Sequence, residues 1–348
     1  MVKRLLALVA SLVLLALGAL PAAAHDTHAA NRYTVHTLVT DTTDADLING
    51  WGISASPTSP WWVADNGTDK STLYTGAGVK IGLTVDVPGG PTGTVFNGTG
   101  DFLLSSASTS QARFLFATET GTIRGWNPNV PAAGSMATEV GATTPGAIYK
   151  GLAIGSVGTA NYLYAADFHH GRVDVFDGSF TRLTWTGKFV DPRMPRHYAP
   201  FGIQNLKGMI FVTYARQDAI AKDEIDGPGR GFVSAFATDG TFLGRVASRD
   251  ELNSPWGLAW APAGFGKFSG DLLVGNFGDG RITAFRWTGH HWVERGQLRR
   301  ANHRAISIDG LWGIGFGNGA GSGPTTTLYF AAGPGGEKHG RFGSITAP

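Results

Sequence analysis

One short phrase comes round six times in this chain, and it constrains the fold more than any other feature. Its openings are Trp51-Gly52-Ile53, Thr92-Gly93-Thr94, Lys150-Gly151-Leu152, Phe201-Gly202-Ile203, Trp256-Gly257-Leu258 and Trp312-Gly313-Ile314. Each opening leads through an apolar strand into a polar turn, and rounds two to five close on Gly-x-(Val/Ile)-x-x-aromatic, as in Gly280-Arg281-Ile282-Thr283-Ala284-Phe285. The opening glycines lie 41, 58, 51, 55 and 56 residues apart. That is the spacing of sheet-built blades rather than of helical solenoids, and it predicts an all-β, six-bladed β-propeller.

The fifth round shows how one blade is assembled. Trp256-Gly257-Leu258-Ala259-Trp260, Asp271-Leu272-Leu273-Val274-Gly275 and Arg281-Ile282-Thr283-Ala284-Phe285 read as three strands. Asn276 to Gly280 is a turn rich in residues that tolerate positive φ. His291-Trp292-Val293-Glu294-Arg295 supplies a fourth, outer strand, so blades of four strands are expected. The sixth round runs out of sequence after Phe342-Gly343-Ser344-Ile345 and lacks its outer strand. Residues 33–39, from Tyr33 to Val39, alternate cleanly ahead of the first round and are predicted to close the ring by completing that blade.

Residues 1–24 stand apart from this pattern. Lys3 and Arg4 precede an apolar run from Leu5 to Leu20, followed by Pro21 and a small-residue site at Ala22-Ala23-Ala24. This reads as a signal peptide cleaved after Ala24, with a secreted, extracellular propeller over residues 25–348 and no transmembrane anchor. A bacterial Sec-type exporter is the expected source. The chain has no cysteine, which excludes lipoprotein acylation, disulfides, zinc-thiolate sites and a thiol nucleophile. Its formal net charge of +2 falls to about zero without Lys3 and Arg4, so no attraction to nucleic acid is implied, and a monomer is expected.

With Pro-x-Gly-(Ile/Leu)-Ala, Leu-x-Val-x-(Asp/Asn) and Gly-x-(Ile/Val)-x-x-Phe together in Pro255 to Phe285, the chain resembles NHL-repeat and gluconolactonase-like six-bladed propellers. The stretches Tyr214 to Asp218 and Asp226 to Gly231 are similar to an uncharacterised family of secreted bacterial propellers, some members of which carry a C-terminal sorting tail. No such tail follows Pro348, and sorting by that route is not expected. The gluconolactonase resemblance implies a divalent metal on the axis, held by Glu, Asn and Asp, at least two of them just before an inner-strand glycine. Here those positions are Trp51, Thr92, Lys150, Phe201, Trp256 and Trp312, none of which offers the carboxylate or amide oxygen a hard cation requires. Lactonase chemistry of that type is therefore not expected.

The blade layout predicts where a site can form. Strand openings and the turns between second and third strands emerge on one axial face, gathering Trp51, Lys150, Phe201, Trp256 and Trp312 with Asn66, Glu119, Asp167, His169, His170 and Asn276. The aromatic residues, with Lys150 and Arg216, suit a sugar, another small molecule or a peptide, unless the rings simply plug the channel. Glu119, Asp167 and His169 are the candidates for acid–base or metal-assisted hydrolase or lyase chemistry. In the fourth round a long loop, Ala215 to Arg230, carries Asp218, Asp223, Glu224 and Asp226, which could bind Ca2+ although the spacing is not that of an EF-hand. A binding or scaffold module acting through its axial face is the primary expectation. No nucleophile elbow, phosphate-binding loop or His-Glu-x-x-His motif is present.

Overall fold

The runs of alternating Val, Ile, Tyr, Phe and Trp, broken by Gly, Asn and Asp turns, fold into six antiparallel sheets of four strands each. The computed structural model describes residues 30–107 and 109–348, so the expected export segment and its cleavage site lie outside the described residues. The inner strands are Gly50–Ser54, Pro91–Phe96, Tyr149–Val157, Tyr198–Leu206, Pro255–Trp260 and Leu311–Phe316. Each touches the next, and the last touches the first, which sets them around a common axis. Apolar layers fill the wedges between blades, as where Trp62 stacks on Phe114 at 4.0 Å between the first and second.

The ring closes as the strand count predicts. Thr34–Thr40 is the outermost strand of the last blade, antiparallel to Arg341–Thr346, and so satisfies the edge of the C-terminal strand with the N-terminal one. Tyr33 anchors its start: its ring is buried against Phe265 and Phe268, and its hydroxyl donates to the Phe265 carbonyl at 2.9 Å.

The recurring glycine has a steric cause. A Cβ added at Gly52, Gly93, Gly151, Gly202, Gly257 or Gly313 would meet backbone atoms of the next inner strand at under 3.0 Å, and the series runs round to Trp51 O against Gly313. Only glycine lets six strands approach the axis this closely. Each inner strand also slips register against its second strand beside this glycine, at Gly50/Ile53, Pro91/Thr94, Tyr149/Gly151, Pro200/Ile203, Pro255/Gly257 and Leu311/Ile314. Such a bulge redirects a side chain, and here it places the residue before each glycine at the axis.

Candidate functional site

At the end of the channel where the inner strands begin, Trp51, Phe201, Trp256 and Trp312 form a single buried cluster with Phe168, Ala199 and Ala215. Trp312 is fully buried, stacked between Trp51 at 3.7 Å and Phe277 at 4.0 Å, with Trp256 edge-on at 5.8 Å. The Trp312 indole N–H donates to Asn49 Oδ1 at 3.0 Å and that of Trp256 to the Lys150 carbonyl at 2.7 Å. These four rings plug the axis and offer no open stacking face, which departs from their expected use as a ligand platform. Aromatic faces pack against one another here because six bulged strands bring them within ring-contact distance.

A charged layer lies over the plug. Lys150, only 2% exposed, places Nζ 2.6 Å from Glu119 Oε1, 3.1 Å from Asp223 Oδ1 and 5.1 Å from the centre of the Trp51 ring. Burial draws its ammonium downward, but Glu119, Glu224 and Asp223 outweigh that and hold it above its ordinary value, so it is charged. Burial likewise pushes Glu119 up, while Lys150 and an Asn66 amide at 3.1 Å more than offset this and keep the carboxyl below its usual range. Asn49 extends the chain of contacts by donating to Asn66 Oδ1 at 3.2 Å.

Two further carboxylates face this layer with less compensation. Burial pushes Glu224 up to about 8 despite Lys150, and burial raises Glu337 despite an Asn49 hydrogen bond. Glu337, from the turn between the second and third strands of the last blade, has no counterpart among the residues the sequence singled out. Its place was legible in principle, because that turn occupies the same position in its blade as the turn holding Glu119.

The long loop of the fourth blade folds across the axial face and supplies Asp223 and Glu224. Gln217 donates to the Phe168 carbonyl, and His169 Nδ1 meets the Ala221 carbonyl at 3.2 Å. The proposed metal ligands diverge within this loop. Asp218 accepts from the Ile220 and Lys222 amides of its own turn, Asp223 pairs with Lys150, Glu224 faces Lys150, and Asp226 is held near Ser254 and Arg230. Among the described residues no group of three or more His, Asp or Glu is arranged to hold a metal ion.

Glu119, Asp167 and His169 do not converge. The carboxylate of Asp167 is fully buried and is engaged by His170 Nδ1 at 2.7 Å and Arg172 at 3.5 Å, so the histidine that serves it is the neighbour of the one expected. The His169 and His170 rings stand edge-on at 5.0 Å and serve different partners, the Ala221 carbonyl and Asp167. Asn276 donates to the Glu251 carbonyl and holds local structure. Arg216, which closes the second strand of the fourth blade, is exposed at the foot of the long loop.

Comparison with known proteins places the chain among viral relatives. It is 35% identical over 285 residues to the uncharacterised protein R648 of Acanthamoeba polyphaga mimivirus, covering 78% of this chain and 69% of that one. It is 36% identical over 284 residues to protein L690 of the same virus, covering 78% and 74%. The chain belongs to the family of these mimivirus proteins. They lend no support to a bacterial source. No protein-family model matches the chain.

Among solved structures, the fold of this family member is similar to that of the soluble aldose sugar dehydrogenase of Escherichia coli, with a TM-score of 0.56, 12% identity and coverage of 91% and 100% of the two chains. A glucose dehydrogenase gives 0.55, 14%, 90% and 100%, and a streptogramin B lyase 0.50, 13%, 91% and 98%. At such identities the likeness is one of fold alone. Among the described residues no helix is long and apolar enough to cross a membrane.

Proposed function

We propose that this protein, after export, binds a small polar ligand, a sugar or an amine, on the carboxylate-rich layer above its axial plug. The observation that carries the reading is Lys150, a buried lysine at the axis with Glu119, Asp223, Glu224 and Glu337 gathered about it. Lys150 and the more exposed Lys222 face four carboxyl groups, more oxygen acceptors than the two ammonium groups use. Hydroxyl and ammonium groups are the donors that would use it. The plugged channel gives this layer a rigid floor, and the fourth-blade loop gives it a wall.

A second reading rests on the same residues. Glu119 is held ionised while Glu224 is held protonated to about pH 8, and carboxyl groups driven apart in this way can divide the roles of base and acid. Hydrolysis or elimination around Lys150 would then use Glu119 to take a proton and Glu224 to give one.

Titration calorimetry with neutral sugars and with primary amines tests the binding reading. One of these classes should bind saturably, and the double variant Glu224→Gln/Glu337→Gln should weaken it by about tenfold or more. Binding that survives this change, or no binding by either class, refutes it. Under the catalytic reading, turnover falls in Glu224→Gln while ligand affinity holds.

A further inference from the structure

The opposite end of the channel is built differently. The C-terminal ends of the inner strands surround a cavity of about 540 Å³, within the size range of small-molecule sites. Each blade contributes to its wall: Ile53, Thr94, Ile154, Gln204, Leu258 and Ile314 come from the six in order. No side chain lining it is charged, in contrast to the layer above the plug. Phe96, Trp260 and Phe316 stand at its rim. Lys207, the cation beside it, sets Nζ over the Trp260 ring at 4.0 Å.

The cavity is blind. Toward the axis it narrows to a space of about 20 Å³ between Gly52, Gly93, Gly313 and Trp256, below the plug, so whatever enters does not reach the charged layer. One polar group is left over at its wall: the Gln204 side-chain amide, which lines both cavity and throat, makes no hydrogen bond among the described residues. A carbonyl or ether oxygen placed there would give this amide a partner inside the cavity.

We infer that this cavity is a second binding site, for a neutral, largely apolar molecule of one to three rings bearing a hydrogen-bond acceptor. An uncharged wall penalises an ionic group held within it, which would lose its hydration with no counter-charge but Lys207, already set over the Trp260 ring. The aliphatic wall and aromatic rim reward a flat apolar body, and the Gln204 amide fixes the orientation of its oxygen. This assignment is independent of the polar ligand proposed for the other face.

Prodan, a neutral flat dye of two fused rings that bears a carbonyl and changes its fluorescence in apolar surroundings, is a suitable probe. Its fluorescence should rise saturably with one dye per chain. Gln204→Arg, which puts a charge into the cavity at a position with no protein partner to lose, should weaken binding by about tenfold or more. Trp287→Ala, which removes the half-exposed tryptophan of the outer surface, should leave it unchanged. No saturable rise, equal binding by Gln204→Arg, or loss of binding in Trp287→Ala overturns the assignment. If Gln204→Arg does not fold, crystals soaked with the dye decide: density between Gln204 and Trp260 supports the site, and density elsewhere, or none, refutes it.

Discussion

Replacing Trp312 with alanine separates a structural plug from a ligand platform. The side chain is fully buried, sandwiched between Trp51 and Phe277, and touched edge-on by Trp256 and at an angle by Phe201. Truncating a buried aromatic of this size costs about 3–5 kcal/mol in lost burial and residual cavity. The rings around it belong to different blades and are fixed by their own strands, so collapse into the space is restricted and the upper part of that range applies. Loss of the indole donor also leaves Asn49 Oδ1, within a residue that is 4% exposed, without its partner, adding about 1 kcal/mol. The total is about 5 kcal/mol. For a chain of this length, at about 0.7 kcal/mol per kelvin of unfolding entropy, the melting temperature should fall by about 7 °C. Urea unfolding should show a lower midpoint at an unchanged slope, the sign of an altered stability rather than an altered mechanism. Trp312→Phe, which keeps a ring and loses the donor, should retain most of the stability. A loss below about 1.5 kcal/mol in Trp312→Ala, together with loss of sugar or amine binding, would refute the plug and restore the rings to the binding site.

Gly313→Ala places a methyl group 2.6 Å from the Trp51 carbonyl oxygen, and the strand displacement this forces should cost about 1–3 kcal/mol in a urea titration. Deleting residues 26–40 removes the outer strand of the last blade and the Tyr33 anchor, and should give a chain that aggregates or melts well below the intact one in light scattering and calorimetry. Glu224 binds its proton more tightly in the folded state than a carboxyl of ordinary pKa 4.5 does, so its contribution to stability is full below pH 4.5 and is lost as pH rises toward about 8. Melting temperatures of Glu224→Gln should therefore decline less than those of the parent between these limits, and parallel curves would contradict the assignment. Because the loop carboxylates point to separate partners, a chelator should leave the melting temperature unchanged, and a drop on chelation would show a bound metal.

The axial site was only partly visible in the residue order. Lys150 and Glu119 stood out as polar residues at repeat positions that converge on an axis, and the structure joins them at 2.6 Å. Glu224 was noticed as one carboxylate in an acidic loop. That it faces a lysine 74 positions earlier depends on how the loop crosses the face, and no spacing records that. The partner of Asp167 depended on which of two adjacent histidines turns inward, a choice made by side-chain direction within one turn. Glu337 stayed hidden because its turn, residues 333–340, is longer than that of any blade but the fourth, so spacing does not align it with Glu119.

The architecture, in contrast, was written locally. A glycine where each inner strand meets the next, an alternating run behind it and a polar turn beyond are each complete within about fifty residues. Counting them gave both the six blades and the strand missing from the last. Steric demands of this kind leave a mark in sequence because a single residue type satisfies them. Burial of the aromatic rings, the charge balance around Lys150 and the uncharged cavity at the far mouth arise only when six blades contribute one residue apiece to the same few ångströms. Those properties belong to the closed ring, in which residues hundreds of positions apart set one another's solvent exposure and charge.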